Sequence, residues 1–328
     1  MEISLREFKE NFYNALLDVH WKGWTVLGAV SHGKPEGAWI IDLEPLVVST
    51  LTIGLQDKRL LSSSIEWLMI NGESINLSRL KRIVKAFLVE FPGLKGSLLY
   101  PEIVDLFVKT YNKNAHNKIE FGKAGSNKEE ENVIREYTHF FSNFRMRNVT
   151  TGPRLRQPSL VQLLLRNILG VDARTEILVY LLANKSGNSN SIAKEIFYSQ
   201  KNIYTILDKW SRAQMVTKIS DHSIPRYSLS RKKELLAAIG LKGIPRYLNW
   251  TKTFLFLDGL AKALSIPPWH DDEYLLSSLF RDLFKDGQVI GRYLDVTIPE
   301  PVHYLGKHYF SPFALGVLRI LKELLKGG

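Results

Sequence analysis

Between residues 199 and 212 the run Ser-Gln-Lys-Asn-Ile-Tyr-Thr-Ile-Leu-Asp-Lys-Trp-Ser-Arg sorts its side chains by helical period. Ile203, Ile206, Leu207 and Trp210 recur three and four apart and form an apolar face. Gln200, Lys201, Asn202, Tyr204, Thr205 and Lys209 fall on the other faces. Amide, hydroxyl and ammonium groups of this kind pair with base edges and phosphates, and an α-helix fits the major groove of DNA. Ser199, placed to cap the helix, and the first backbone N–H groups offer a phosphate site. Lys218, His222 and Arg226 follow on two short extended runs within reach of a nucleic-acid backbone or minor groove. Arg231, Lys232 and Lys233 come directly after.

A second constellation lies near the start. Ile40-Ile41-Asp42-Leu43-Glu44 sets two carboxylates at alternate positions of what reads as a strand, the spacing with which nucleotidyltransferases hold a divalent metal. Their glycine-serine phosphate loop is not visible upstream, so Asp42 and Glu44 define the alternative reading, an enzyme acting on nucleic acid. Other candidates carry less. Ser31-His32-Gly33 lacks the strand-turn-helix context of a nucleophile elbow and reads as a hairpin loop. Pro267-Pro268-Trp269-His270-Asp271-Asp272-Glu273 reads as a capped helix start. His303 and His308 have no further ligand beside them. Trp250, Phe254 and Phe256 read as core, and no glycine-rich nucleotide loop occurs. The expectation is no catalytic residue, no metal and no cofactor.

Several elements must position these groups. Leu5 to Val19 reads as a helix, with Ser4 and Glu7 in capping-box spacing. Trp24 to Val30 and Ala38 to Leu43, rich in β-branched and aromatic residues around a Gly/Pro turn, predict a β-hairpin. Asp57 to Ile70 and Asn76 to Val89 are amphipathic helices, read first as a bundle pair and second as another helix-turn-helix. Residues 112–131 read as an exposed connection whose Glu129-Glu130-Glu131 enters a helix. Pro153 and Pro158 precede a Leu-rich helix, Leu160 to Leu169. Asp172 then caps a helix to Ala183, Lys185 to Asn190 is a polar loop, and Ile192 to Phe197 is a short helix before the one that Ser199 opens. Met215 to Ser220 and Pro225 to Leu229 form a hairpin about Asp221-His222-Ser223. Three helices and a β-ribbon in about 60 residues is the order of a winged helix. Residues 241–328 read as two or three helices around an irregular stretch at Arg292 to Tyr309. The last, Phe313 to Leu325, either lines a dimer interface or closes the core, with core packing preferred.

Ile192-Ala193-Lys194-Glu195-Ile196-Phe197-Tyr198-Ser199-Gln200-Lys201-Asn202-Ile203-Tyr204-Thr205-Ile206-Leu207-Asp208-Lys209-Trp210 resembles the helix-turn-helix of MarR- and ArsR-type winged-helix transcriptional regulators. Ala213-Gln214-Met215-Val216 and Arg226-Tyr227-Ser228-Leu229 are similar to their step into the wing and its returning strand. The resemblance covers about 70 residues and implies double-stranded DNA as partner and a homodimer. Phe197 and Gln214 stand where the family has glycine. Such positions favour a positive φ that a side chain makes costly, on the order of 1 kcal/mol, which predicts an inter-helix turn drawn differently.

Charge agrees with that partner. The 328 residues carry 44 Lys and Arg against 33 Asp and Glu, a formal net of +11. Residues 137–171 hold five arginines (Arg145, Arg147, Arg154, Arg156 and Arg166) and no acid, and residues 172–240 hold eleven basic and six acidic side chains. Nearly all of the excess therefore sits in one third of the chain, which calls for a local reason. With no cysteine, thiol chemistry, disulfides and Cys-ligated zinc or iron are excluded. No run of 18 apolar residues occurs and the first ten residues are rich in charge, so no membrane span or signal peptide is expected and the chain reads as cytoplasmic.

The expected fold is mainly α (α+β): a winged helix-turn-helix at 171–240, flanked by helical regions, with a small N-terminal β-hairpin. The expected divisions are an N-terminal, mostly helical domain at 1–110, a connection and Arg-rich segment at 111–170, the winged helix, and a C-terminal helical region at 241–328. The expected function is sequence-specific DNA binding, as in a transcriptional regulator; a winged-helix protein-interaction scaffold is a further alternative. No effector is readable.

Overall fold

The computed structural model describes residues 2–30, 37, 39–89, 91, 94, 97–111, 128–219, 224–241 and 243–326. Helix α1 spans Leu5–Leu27. The Ser4 hydroxyl opens it by accepting from the Glu7 N–H at 3.2 Å, and Gly28 closes it at a φ of 86°, a left-handed conformation that costs glycine nothing. The sequence reading ended this helix at Val19 and began a strand at Trp24; the structure corrects both. Phe8, Phe12, Leu16, Val19, Gly23, Trp24 and Leu27 make one buried stripe at helical spacing, and that burial outweighs the strand preference of Trp24, Thr25 and Val26. The partner run is extended only at an isolated parallel bridge between Trp39 and Arg246. Residues 24–43 therefore form no hairpin among the described residues, and Ser31, His32 and Gly33 lie outside them.

Helices α2 (Leu43–Ile53), α3 (Lys58–Asn71), α4 (Leu77–Phe87), α5 (Pro101–Tyr111) and α6 (Lys128–Ser142) follow. Asp42 is thus at the N-cap of α2 and Glu44 in its first turn, not on a strand. Acids favour a helix N-terminus, and Pro45 is tolerated in a first turn but interrupts a strand ladder. Next come α7 (Val161–Leu169), α8 (Ala173–Ala183), β1 (Gly187–Asn188), α9 (Ser189–Ile196), α10 (Gln200–Arg212), β2 (Val216–Ile219), β3 (Arg226–Leu229) and α11 (Lys232–Ala238). Helix α9 starts three residues earlier than predicted, because Asn188 and Ser191 cap each other's backbone N–H reciprocally. The chain ends with α12 (Trp250–Ser265), α13 (Glu273–Leu294) and α14 (Phe310–Leu325). Among the described residues no helix is long and apolar enough to cross a membrane.

The fold is mainly helical with one small three-stranded antiparallel sheet, in the order β1-β3-β2. Its buried residues separate into a large cluster and a small one, with a seam between. The large cluster draws on both ends of the chain, from Ile3 to Leu163 and from Leu248 to Leu324. The regions 1–110 and 241–328 thus share one core, with α14 packed on α1. The small cluster lies wholly within residues 173–227: Ile177, Leu181, Ile192, Ile196, Ile203, Leu207, Val216 and Tyr227 are among its members. Ile40, Val161, Leu165, Leu178, Leu182 and Leu236 form the seam.

Phe197 and Gln214 both take a φ of 57°, so the turns keep the conformation that glycine would favour, contrary to the expected redrawing. At Phe197 packing of the ring against the large core offsets the strain. Gln214 is exposed and lacks that compensation. Gln214→Gly is therefore expected to raise stability by up to about 1 kcal/mol and Phe197→Gly to lower it by about 2 kcal/mol or more, as read from urea midpoints. A gain at both positions would contradict the packing role of Phe197.

Candidate nucleic-acid interface

Helix α10 packs its inner face on the small core: Ile203 and Leu207 are buried, Ile206 and Trp210 half-buried. Ser199, Gln200, Lys201, Asn202, Tyr204, Thr205 and Lys209 are all exposed, as their spacing predicted. Lys201, Thr205 and Lys209, each four residues apart, run along the outer face. Arg212 continues that line, exposed and paired with Asp208 at 2.6 Å; the same spacing rule could have included it. Gln200 is turned back toward α9, its side-chain amide donating to the Ser189 hydroxyl at 3.0 Å. Thr205 donates to the Lys201 carbonyl at 2.9 Å. Ser199 occupies the N-cap position, but its hydroxyl makes no capping bond, so the expected side-chain cap is not made.

The ribbon places its two cations apart. Lys218 pairs in register with Tyr227 and Ile219 with Arg226, and because successive residues alternate faces, Lys218 and Arg226 point to opposite sides. Both are exposed. The Arg226 guanidinium is held by the Ser186 hydroxyl at 3.0 and 3.1 Å. His222 lies outside the described residues.

The surface charge is smaller than the segment count implied. Arg145, Arg147, Arg154 and Arg156 are exposed, but Arg166 is 3% exposed and belongs to a buried ionic cluster. Arg166 uses all five N–H groups: Nε and Nη2 donate to Glu176 at 2.9 and 2.5 Å, Nη1 and Nη2 to Glu44 at 2.8 Å each, and Nη1 to the Ser74 carbonyl at 2.8 Å. Arg79 bridges Asp42 and Glu44, with Nη1 to both and Nη2 to Asp42, each at 2.5 Å. Gln162 donates to Asp42 at 3.0 Å and to Glu176 at 2.9 Å. Burial alone would raise the Glu44 carboxyl; the charges of Arg166 and Arg79 outweigh it and hold Glu44 well below the usual carboxylate range. The two carboxylates singled out as metal ligands therefore face guanidinium groups.

The same cluster grips the turn that leads into α10. Arg79 Nε donates to the Ile196 carbonyl at 2.9 Å, and Arg82 donates to the Phe197 carbonyl at 3.1 Å. Asn76 donates to the Tyr198 hydroxyl at 2.7 Å and to the Val171 carbonyl at 3.0 Å, while the Arg82 guanidinium lies 5.2 Å from the centre of the Tyr198 ring. From the other side Asn249 and Lys252 hold Glu195 of α9 at 2.6 and 2.7 Å. Helix α4, read from sequence as a bundle helix or a second helix-turn-helix, is thus the element that orients α10 on the body. Comparison with family models, curated proteins and solved structures finds no match to the chain. The geometry alone carries the reading: a helix with one apolar face buried, one polar and cationic face open, and its leading turn held by buried Arg79 and exposed Arg82.

Proposed function

We propose that the chain is a sequence-specific double-stranded-DNA-binding protein, a transcriptional regulator built on a winged helix at residues 171–240. In this reading α10 enters the major groove, with Lys201, Asn202, Thr205 and Lys209 meeting base edges and phosphates. Tyr204 flanks that face, and Gln200 and Ser199 meet the backbone at its start. The ribbon of β2 and β3 is the wing, whose Lys218 and Arg226 meet phosphates on either side. What supports the reading most is the exposure of the whole polar face of α10 opposite buried Ile203 and Leu207. The order α8, α9, α10 and ribbon, around a core of its own, agrees with it.

Regulators of this fold act as two-fold dimers, so the two copies of α10 would read half-sites about one helical turn apart. Selection of preferred sites from random duplexes tests this. The expected outcome is an inverted repeat with that spacing; enrichment of no sequence would contradict specific readout.

A further inference from the structure

A groove between the start of α3 and helix α6 is lined by Lys58, Arg135, Arg145 and Arg147 together with Phe140 and Phe144. Four cations meet one carboxylate there, that of Glu136. Among the described residues no ion pair joins any of the four to an acid. Like charges gathered this way repel and call for an anionic partner. The segment that carries two of them is fixed. Glu66, 1% exposed, accepts the backbone N–H groups of Arg147, Val149 and Thr150 at 2.6, 2.7 and 3.1 Å and the Thr150 hydroxyl at 3.2 Å. The Thr151 N–H then donates to the Gly28 carbonyl at 2.8 Å, and Asn148 between them takes a φ of 55°. Phe140 and Phe144 pack against the main core on one side and line the groove on the other.

We propose that this groove holds a single strand of DNA, with phosphates at Lys58, Arg135, Arg145 and Arg147 and bases against Phe140 and Phe144. Cations beside aromatic rings are the combination that tracks a strand whose bases are unstacked. A duplex hides its base faces from the two rings, and an acidic peptide would use the cations and leave the rings idle. The choice of DNA as the source of the strand rests on the reading of α10; the groove's chemistry does not.

Fluorescence anisotropy of the full chain with labelled oligodeoxythymidine of about twelve nucleotides tests the assignment, beside oligouridine, polyglutamate and a duplex. Arg135→Ala with Arg145→Ala and Arg147→Ala is expected to weaken the DNA strand at least about tenfold with the melting midpoint held. Phe144→Leu, which keeps an apolar side chain, is expected to weaken it about fivefold and leave polyglutamate unchanged. Lys201→Ala with Lys209→Ala should leave single-strand binding at the wild-type level. Wild-type single-strand affinity in the triple variant overturns the groove. Phe144→Leu without effect, alongside polyglutamate binding lost in the triple variant, marks an acidic-protein site instead. Tighter binding of oligouridine overturns DNA as the source. Failure of the α10 reading appears separately, as duplex affinity unmoved by the lysine substitutions.

Discussion

Arg166→Ala is expected to destabilise the protein by about 3–5 kcal/mol, enough to leave most of the chain unfolded at moderate temperature. The side chain is buried and every N–H it has is bonded, to Glu44, Glu176 and the Ser74 carbonyl. Alanine removes the ion pair of Glu176, which keeps the Gln162 amide as a donor, and leaves Glu44 with Arg79 and the Asn76 N–H. Arg166→Lys keeps the charge but offers three donors from one point rather than a planar fork of five, so an intermediate loss of about 2 kcal/mol is expected. Arg166→Met combined with Glu176→Met removes one charge of each sign, leaves the cluster's formal charge unchanged, and should recover at least half of the alanine loss. Urea midpoints of the three variants check the ordering, and equal midpoints for alanine and wild type would refute the cluster. A consequence for function follows, because Arg79 shares Glu44 with Arg166 and also holds the Ile196 carbonyl. Loosening the cluster should loosen the turn before α10.

The second large effect concerns a buried pair that the interface does not use. Asp258 of α12 lies 3.0 Å from the Ser49 hydroxyl and 2.6 Å from that of Thr52, and Ser49 lies 2.7 Å from His20 Nε2. His20 Nδ1 faces the Leu16 carbonyl at 2.8 Å; a carbonyl only accepts, so Nδ1 carries the proton. The Ser49 hydroxyl donates to one oxygen of Asp258 and the Thr52 hydroxyl to the other. Burial pushes Asp258 up to about 7 against the opposing hydroxyl bonds, and pushes His20 down to about 4 against the Leu16 carbonyl. The signs are opposite. Asp258, raised on folding, gives stability that is full below its unfolded value of 3.8 and is lost as pH rises to about 7. His20, lowered on folding, gives stability that is full above 6.5 and is lost as pH falls to about 4. Between those limits the two slopes cancel, so the pair contributes little pH dependence to the wild type.

Single variants uncover each half. Asp258→Asn removes the titrating carboxyl and keeps an acceptor for one of the two hydroxyls, and its stability relative to wild type should improve by about 3 kcal/mol from pH 4 to pH 7. His20→Gln should change in the other direction, losing about 3 kcal/mol relative to wild type over the same interval. Denaturant titrations at a series of pH values check both; parallel profiles for wild type and Asp258→Asn would show that Asp258 is ionised throughout the folded state.

Much of the fold was legible because its helices carry a clear period. In α10 the spacing of Ile203 and Leu207 gave the buried face, and with it the exposed positions of Lys201, Thr205 and Lys209. Helices α3, α4 and α8 were read to within a few residues for the same reason. The stretch 24–43 was misread because Trp24, Thr25 and Val26 prefer strands locally, while their burial in α1 depends on helices that follow much later in the chain. Asp42 and Glu44 were noticed for their type, but their partners Arg79 and Arg166 lie 37 and 122 residues away, a separation that no local pattern encodes. One signal was available: Arg166 is the single charge of the Leu-rich helix α7, and a lone charge there must be paired. Counting Arg166 with the surface charge was the corresponding error, since a sum over residues does not register burial. At Phe197 local strain was recognised correctly, and the packing that offsets it was not.

In the proposed function the outer face of α10 reads duplex DNA. Titrating a selected duplex with wild type and with Lys201→Ala plus Lys209→Ala, across salt from about 0.05 to 0.2 M, tests it most directly. Steep weakening with salt is expected for the wild type, with at least about tenfold weaker binding in the variant and a log–log salt slope shallower by about two. Equal affinity and equal slope in the two proteins would contradict it.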